Sequence, residues 1–276
     1  MKPTLVLYHD NCPDGFTAAW AVWTALGDEA EYHGVNYGQA PPDDVDGRHV
    51  VLVDFSYPRA QLDALAARAA LVDIFDHHKT AQADLVGWET EGTNRFVVFD
   101  MERSGAGIAW DSFHPTVRRP RLIDYVETAD LWRFALPDSR EIREYVFSTP
   151  YTFAEWDALA LALDDDLPWA VKTGATLLRA KRVRVASMCK HVRWGMLGEH
   201  RVPYVNASWD FSEVGEYLAT EHSAPFGAYY FDRADKRQWG MRSRDGTDVS
   251  AVAKEFGGGG HAAAAGFTTQ IGWLPP

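Results

Sequence analysis

Cysteine is scarce in this 276-residue chain: Cys12 and Cys189 are the only two, far apart and in unrelated contexts. That excludes a disulfide framework and a cysteine-rich zinc site. There is no run of about eighteen uninterrupted apolar residues, so no membrane-spanning helix is expected. The opening MKPTLVLYHD passes straight into a polar segment rather than a cleavage site, which predicts a cytoplasmic protein without membrane association. Internal repeats and a low-complexity tail are also missing. Positive charge is short, with 27 Lys and Arg against 39 Asp and Glu and a formal net charge of −12. Such a surface repels long phosphate polymers unless basic residues are gathered locally. Duplex DNA is therefore not an expected partner, whereas a short, small or metal-bridged phosphate is easily accommodated.

One stretch does gather positive charge. Lys172, Arg179, Lys181, Arg182, Arg184, Lys190, Arg193 and Arg201 face a single acid, Glu199. A solvated helix face is the preferred reading over a substrate-facing stripe.

A hydrophobic content of 46% over this length predicts two domains, each with its own core. Residues 4–8 (TLVLY), 50–54 (VVLVD) and 71–75 (LVDIF) are short apolar runs of the kind buried on both faces of a sheet. Helical patterns at 15–26 and 59–70 alternate with them, which predicts an α/β domain with a mostly parallel sheet flanked by helices. A helical zone from about Ala106 through Asp166 follows, then an amphipathic segment from Trp169 to about Trp194 that reads as a connecting helix. Strand-like pieces around PYVNAS, GAYYFD and QWGMRS then predict a smaller C-terminal α/β unit. The expected divisions are 1–168, 169–200 and 201–276. Trp20, Trp23, Trp110 and Trp132 lie beside expected helices and are assigned to packing; Trp239 is the C-terminal aromatic weighed as a base-stacking platform.

Ligands of open α/β sheets collect at the carboxyl ends of the strands. Here those ends carry His9, Asp10, Asn11, Cys12, Pro13 and Asp14, then Asp54, then Asp76, His77 and His78. A lone Asp at a strand end is ordinarily a cap or turn residue. Three strand ends delivering carboxylates and imidazoles together suit a pair of divalent ions, which can activate water and neutralise phosphate oxygens. Asp54 is placed to bridge two such ions, and Asp76 and His77 to orient or ligate one. Mixed Asp and His ligation suits Mn²⁺, with Mg²⁺ or Co²⁺ as substitutes.

The triplet Asp76-His77-His78 after an apolar strand, an upstream His and Asp-Gly loop, and GGGGHAAAAGF at 257–267 together resemble the DHH phosphoesterase superfamily with its DHHA1 partner domain. The resemblance covers nearly the whole chain. It implies an N-terminal DHH domain linked by a helix to a smaller DHHA1 domain across a cleft, and metal ligation by His9, Asp10, Asp14, Asp54, Asp76, His77 and Asp130. It further implies that Asp54 and His78 act on the phosphate, and that Gly258, Gly259, Gly260 and His261 bind the substrate's phosphate or nucleotide end, with Arg242 and Arg103 as cationic contacts. Ser104, Gly105 and Ala106, opening a helix, are similar to a segment near the site in related proteins, where a helix N-terminus favours an anion.

The first motif departs from the family pattern. Cys12 and Tyr8 stand where many members have Asp and His, so either Asp10 or Cys12 must complete the shell with His9. The resemblance is nearest to the oligoribonuclease and cyclic-nucleotide phosphodiesterase branch, implying a short oligonucleotide or small nucleotide as substrate. Two alternatives stay open. One is a single-strand exonuclease of the RecJ kind, whose additional nucleic-acid domains are not among these residues; the other is a nucleotide-binding module that has lost hydrolysis. A homodimer is compatible with the sequence without being required by it.

Overall fold

The computed structural model describes residues 3–276 and divides into two units, residues 1–177 and 178–276. The first unit begins with β1 (Thr4–His9), α1 (Pro13–Leu26), β2 (Ala30–Val35), β3 (His49–Val53), α2 (Arg59–Ala66), β4 (Leu71–Asp76), α3 (Lys79–Asp84) and β5 (Arg95–Phe99). It continues with α4 (Gly105–Phe113), α5 (Arg121–Asp130), α6 (Ser139–Ser148), α7 (Phe153–Asp165) and the start of α8 (Leu167–Cys189).

Its five strands are all parallel, in the order β2-β1-β3-β4-β5. Alternation along each strand feeds two cores, because successive side chains point to opposite faces. Val6, Val51 and Val53 pack with Trp20, Ile108, Ile123 and Trp156 on one face. Leu5, Leu7, Leu52 and Ile74 pack with Leu62, Leu65 and Trp88 on the other. Each such fully buried side chain contributes about 1.5–3 kcal/mol relative to exposure. The strand order reverses between β1 and β3, and at that switch point the carboxyl ends of β1, β3 and β4 lie side by side.

The second unit contains the rest of α8, β6 (Arg193–Leu197), β7 (His200–Asn206), α9 (Phe211–Glu221), β8 (Phe226–Arg233), β9 (Lys236–Ser243), α10 (Val249–Glu255), β10 (Gly259–His261) and β11 (Ala264–Gln270). These strands form one sheet in the order β10-β11-β9-β8-β7-β6, antiparallel except for β7 with β8. Trp239, expected as a candidate stacking platform, is fully buried in its core with Phe267 and Phe226.

The domain divisions need correction. The connecting helix ends at Cys189 rather than near Trp194, and the boundary between units falls inside it. β6 and the start of β7, expected within the 169–200 connector, belong to the second sheet. The basic stretch is partly spent on ion pairs within this unit, Lys181 with Glu213 at 3.2 Å and Arg184 with Asp210 at 3.0 Å. Among the described residues, no helix is long and apolar enough to cross a membrane.

Candidate metal centre

Two glycines bring the starts of α1 and α4 against the ends of β1 and β3. A Cβ on Gly15 would lie 2.2 Å from the carbonyl oxygen of His9, so only glycine lets α1 start this close to the end of β1. A Cβ on Gly105 would lie 2.4 Å from the Cβ of Asp54, so the first residue of α4 also has no room for a side chain. Asp14 fills the narrow space between: its carboxylate accepts from the N–H of Gly105 at 2.7 Å and of Ala106 at 3.0 Å. Ser104 caps the same helix by accepting from the Gly107 N–H. The anion expected at this helix N-terminus is thus the chain's own Asp14 carboxylate, a favourable place for negative charge.

Asp54 lies one residue beyond β3 with φ of +53°. It is 1% exposed, and neither carboxylate oxygen accepts a hydrogen bond among the described residues. Burying carboxylate oxygens that only two imidazoles approach is costly, which points to a cation as the partner that would complete them. His9 Nδ1 lies 3.6 Å from Oδ2, and His77 Nε2 lies 3.1 Å from Oδ1. Burial alone would push this carboxyl up, but His77 and His9 outweigh it and hold the group at about 2.

Donor atoms converge in two separate sets, the first of which contains Asp54. His9, Cys12 and Asp54 each bring one within 4.8 Å of the other two, and so do Asp14, His77 and Asp130. His77 Nε2 is 3.7 Å from Asp14 Oδ2 and 3.6 Å from Asp130 Oδ2. His78 joins Asp54 and His77 in a third overlapping group. Asp130, the last residue of α5, is raised to about 6 by burial and then by Asp54. Asp14 is pushed up by burial, Asp54 and Asp130. For His77, burial works downward, but Asp54, Asp14 and Asp130 raise it to about 9. Crowded carboxylates beside imidazoles that favour a proton are groups that could exchange those protons for a metal ion.

Several expected residues are placed differently. Asp10 is not brought into any donor group among the described residues. Its N–H donates to the Val35 carbonyl, and its carboxylate accepts from Asn11 at 2.7 Å and Asn36 at 3.4 Å; the turn at Asn11, with φ of +55°, directs Cys12 inward instead. Asp76 is likewise not among the grouped ligands. It is wholly buried; its Oδ1 accepts from the N–H groups of His77 and His78 and from His78 Nδ1 at 2.6 Å, which orients both histidines, while its Oδ2 has no hydrogen-bond partner among the described residues. Arg103 is committed to Asp100 at 2.8 Å and Asp111 at 2.9 Å, leaving its charge spent rather than offered to substrate. Tyr8 packs edge-on against Phe16.

Two features went unread in the sequence. Trp132, assigned to packing, is 52% exposed at φ of +54°. With Phe147 and Arg143 it lines a cavity of about 190 Å³ whose wall also includes Cys12, Asp14 and Asp130. Tyr37 stands edge-on to His9 and His78, with ring centroids at 5.3 and 6.0 Å. It follows β2, an element the apolar pattern did not reveal.

In the second unit, residues 257–267 form a hairpin rather than a linker. His261 pairs with Ala264 across a two-residue turn, and Val249 and Ser243 donate to the carbonyls of Ala262 and Ala263. Gly258 and Gly260 lie so close to β11 that a Cβ would meet Gly266 O at 2.1 Å and Ala264 O at 2.6 Å; Gly259 has open space. Ala264 pairs in turn with Arg242, so Arg242, Ala264 and His261 lie in one cross-strand row and share a face. Arg242 donates to Ser212 and to the Met241 carbonyl and has no carboxylate partner among the described residues.

No family model matches the chain. An uncharacterized protein of Acanthamoeba polyphaga mimivirus is 28% identical across 98% of this chain and 69% of its own length. Among solved structures, the DHH domain of a member of the s1p family of ribosomal proteins aligns with a TM-score of 0.64 at 14% identity, covering 98% of this chain and 83% of that one. The pGpG-specific phosphodiesterase PggH of Vibrio cholerae aligns with a TM-score of 0.57 at 16% identity, covering 98% and 94%. RecJ of Thermus thermophilus, in complex with Mn²⁺, aligns with a TM-score of 0.52 at 17% identity; it covers 98% of this chain, which spans half of RecJ's length.

Proposed function

We propose that this chain, whose fold is that of the DHH-domain proteins, is a metal-dependent phosphoester hydrolase acting on short oligonucleotides or small nucleotides. The observation that carries the reading is Asp54, whose two buried oxygens are approached, among the described residues, only by metal-binding imidazoles, Oδ2 by His9 and Oδ1 by His77, each of which belongs to a different donor set. His9 and Cys12 would hold one divalent ion with Asp54, and Asp14, His77 and Asp130 another, with Mn²⁺ the ion best suited to the nitrogen and oxygen set and Mg²⁺ or Co²⁺ as substitutes. Two such ions, when bound, supply Lewis acidity and a nucleophilic hydroxide at neutral pH.

The chain's own residues do the rest. His78, with Nδ1 committed to Asp76, presents Nε2 as the free ring nitrogen to a non-bridging phosphate oxygen. Burial lowers its basicity, but Asp76 and Asp54 more than reverse this, favouring the cationic form that an oxyanion prefers. The cavity beside Cys12, Asp14 and Asp130 supports a nucleotide substrate: Trp132 and Phe147 provide aromatic faces for a base next to the reacting phosphate. In the second unit, Arg242 and His261 share a face of the sheet, where the cationic side chain of Arg242 suits an anion.

The alternative of a non-hydrolytic binder drew on Cys12 as a departure from the family pattern. The convergence of Cys12 with His9 and Asp54 favours a replaced ligand over a lost one. The test is hydrolysis of a panel comprising a linear dinucleotide, a cyclic dinucleotide, a 3′,5′-bisphosphonucleoside and a single-stranded oligonucleotide, with Mn²⁺, comparing the wild type with Asp54→Ala. Metal-dependent turnover abolished in the variant is expected. No turnover of any member by a metal-loaded wild type would overturn the reading in favour of a binding module.

A further inference from the structure

We infer that the two halves of the centre are chemically unequal: Cys12 Sγ, His9 and Asp54 form a position for a borderline or soft divalent ion such as Zn²⁺, Co²⁺ or Fe²⁺, whereas Asp14, His77 and Asp130 form a position for a hard ion such as Mn²⁺ or Mg²⁺. The inference rests on the metal-dependent reading only in taking the centre to be metal-loaded.

Three observations carry it. The donor atoms of Cys12, His9 and Asp54 converge within 4.8 Å of one another. Asp54, 1% exposed, directs oxygens without hydrogen-bond partners into that space, so a polar group already waits for a cation there. Asp10, the nearby carboxylate that would have made this set hard, is turned away to Asn11 and Asn36.

Cys12 is committed to neither a disulfide nor a helix cap. It is the N-cap of α1 but its side chain makes no capping hydrogen bond, and it is a free cysteine. Burial, Asp54 and Asp14 push the Cys12 thiol up in the metal-free chain, so its proton would leave only in exchange for a bound cation. Thiolate and imidazole select ions from the softer end of the first-row series, and carboxylates from the harder end. Asp54 stands at the border of the two positions, with Oδ2 toward His9 and Oδ1 toward His77.

Titration of the metal-free full-length protein with Co²⁺ tests the proposal. Two equivalents are expected, one of them bringing a near-ultraviolet thiolate-to-cobalt charge-transfer band. Cys12→Ser should lose the band and tight binding of one equivalent. Cys12→Asp should bind two equivalents without the band. Loaded with Zn²⁺ and Mn²⁺ together and then desalted, the wild type should carry one of each by elemental analysis, and Cys12→Asp should carry more Mn²⁺ than Zn²⁺. Two cobalt ions bound with no charge-transfer band, or unchanged metal content in Cys12→Ser, would overturn the inference. So would absence of cobalt binding, which would also remove the basis of the proposed activity. The two ideas separate by hydrolysis of the nucleotide panel: the band without turnover keeps the thiolate position and rejects the activity, and turnover without the band does the reverse.

Discussion

His78 donates from Nδ1 to the fully buried Asp76 across 2.6 Å, and the same carboxylate oxygen receives the backbone N–H groups of His77 and His78. One carboxylate thus fixes the tautomer of His78 and the backbone turn that presents His77. Asp76→Asn removes the charge and offers an amide in its place. The expected result is a fall in kcat of about 10–100-fold with metal content retained. Because Asp76 raises the basicity of His78, the limb of the pH–rate profile that follows His78 should move to lower pH. Steady-state kinetics across pH, with elemental analysis of each sample, check both.

Gly105→Ala places a methyl group 2.4 Å from the Cβ of Asp54. Overpacking of this kind costs about 1–3 kcal/mol, and the strain falls on a metal ligand. The variant should lose stability by that amount in denaturant unfolding and bind metal more weakly. Retention of wild-type stability and wild-type metal affinity would remove the close approach of α4 from the account.

The metal-free protein should weaken as pH rises. Asp130 is raised to about 6 in the folded chain, so it favours folding only while protonated, and that contribution disappears as pH climbs from about 4 to 6. His77, raised to about 9, contributes fully below about 6.5 and loses its contribution as pH passes 9. Asp54 works oppositely, contributing above about 4 and failing only as pH falls through 2. Thermal unfolding of the metal-free chain should therefore show a Tm that declines from pH 4 to 9. Added Mn²⁺ should raise Tm more at pH 8 than at pH 5, because ligation needs the deprotonated groups.

Trp132→Ala should raise KM for nucleotide substrates by about 10-fold, the scale of one lost base–aromatic contact. The same variant should leave kcat/KM unchanged for a small phosphodiester without a base. An equal loss on both substrates would make Trp132 a packing residue after all.

Arg242→Ala and His261→Ala, changed singly, should raise KM more than they lower kcat, since neither belongs to the grouped metal ligands. Initial-rate kinetics on a dinucleotide carrying a terminal phosphate, compared with one lacking it, would read this directly. The penalty should vanish on the substrate without that phosphate.

The legible parts of the sequence were those where burial is two-sided. β1, β3 and β4 are apolar on both faces, so their ends, and with them His9, Asp54 and His77, stood out. β2 has an exposed Glu31 and Gly34 and a partly exposed Tyr32, and reads as no strand at all. That omission propagated: Asp10 is directed by Val35 and Asn36, so choosing between Asp10 and Cys12 required a strand the pattern hid. The end of α8 was misplaced because no Gly or Pro interrupts the stretch from Ser187 to Trp194. The exposure of Trp132 depends on a left-handed backbone that tryptophan rarely adopts, and sequence periodicity carries no trace of it.

The seating of Asp14 on the amides of Gly105 and Ala106 makes those two protons a built-in gauge of the centre. When a cation draws charge from the Asp14 carboxylate, the two hydrogen bonds at the head of α4 must weaken or shift. The amide resonances of Gly105 and Ala106, and the rates at which their protons exchange with solvent, should then follow metal occupancy step for step. Loading could be read in solution without substrate, chromophore or turnover.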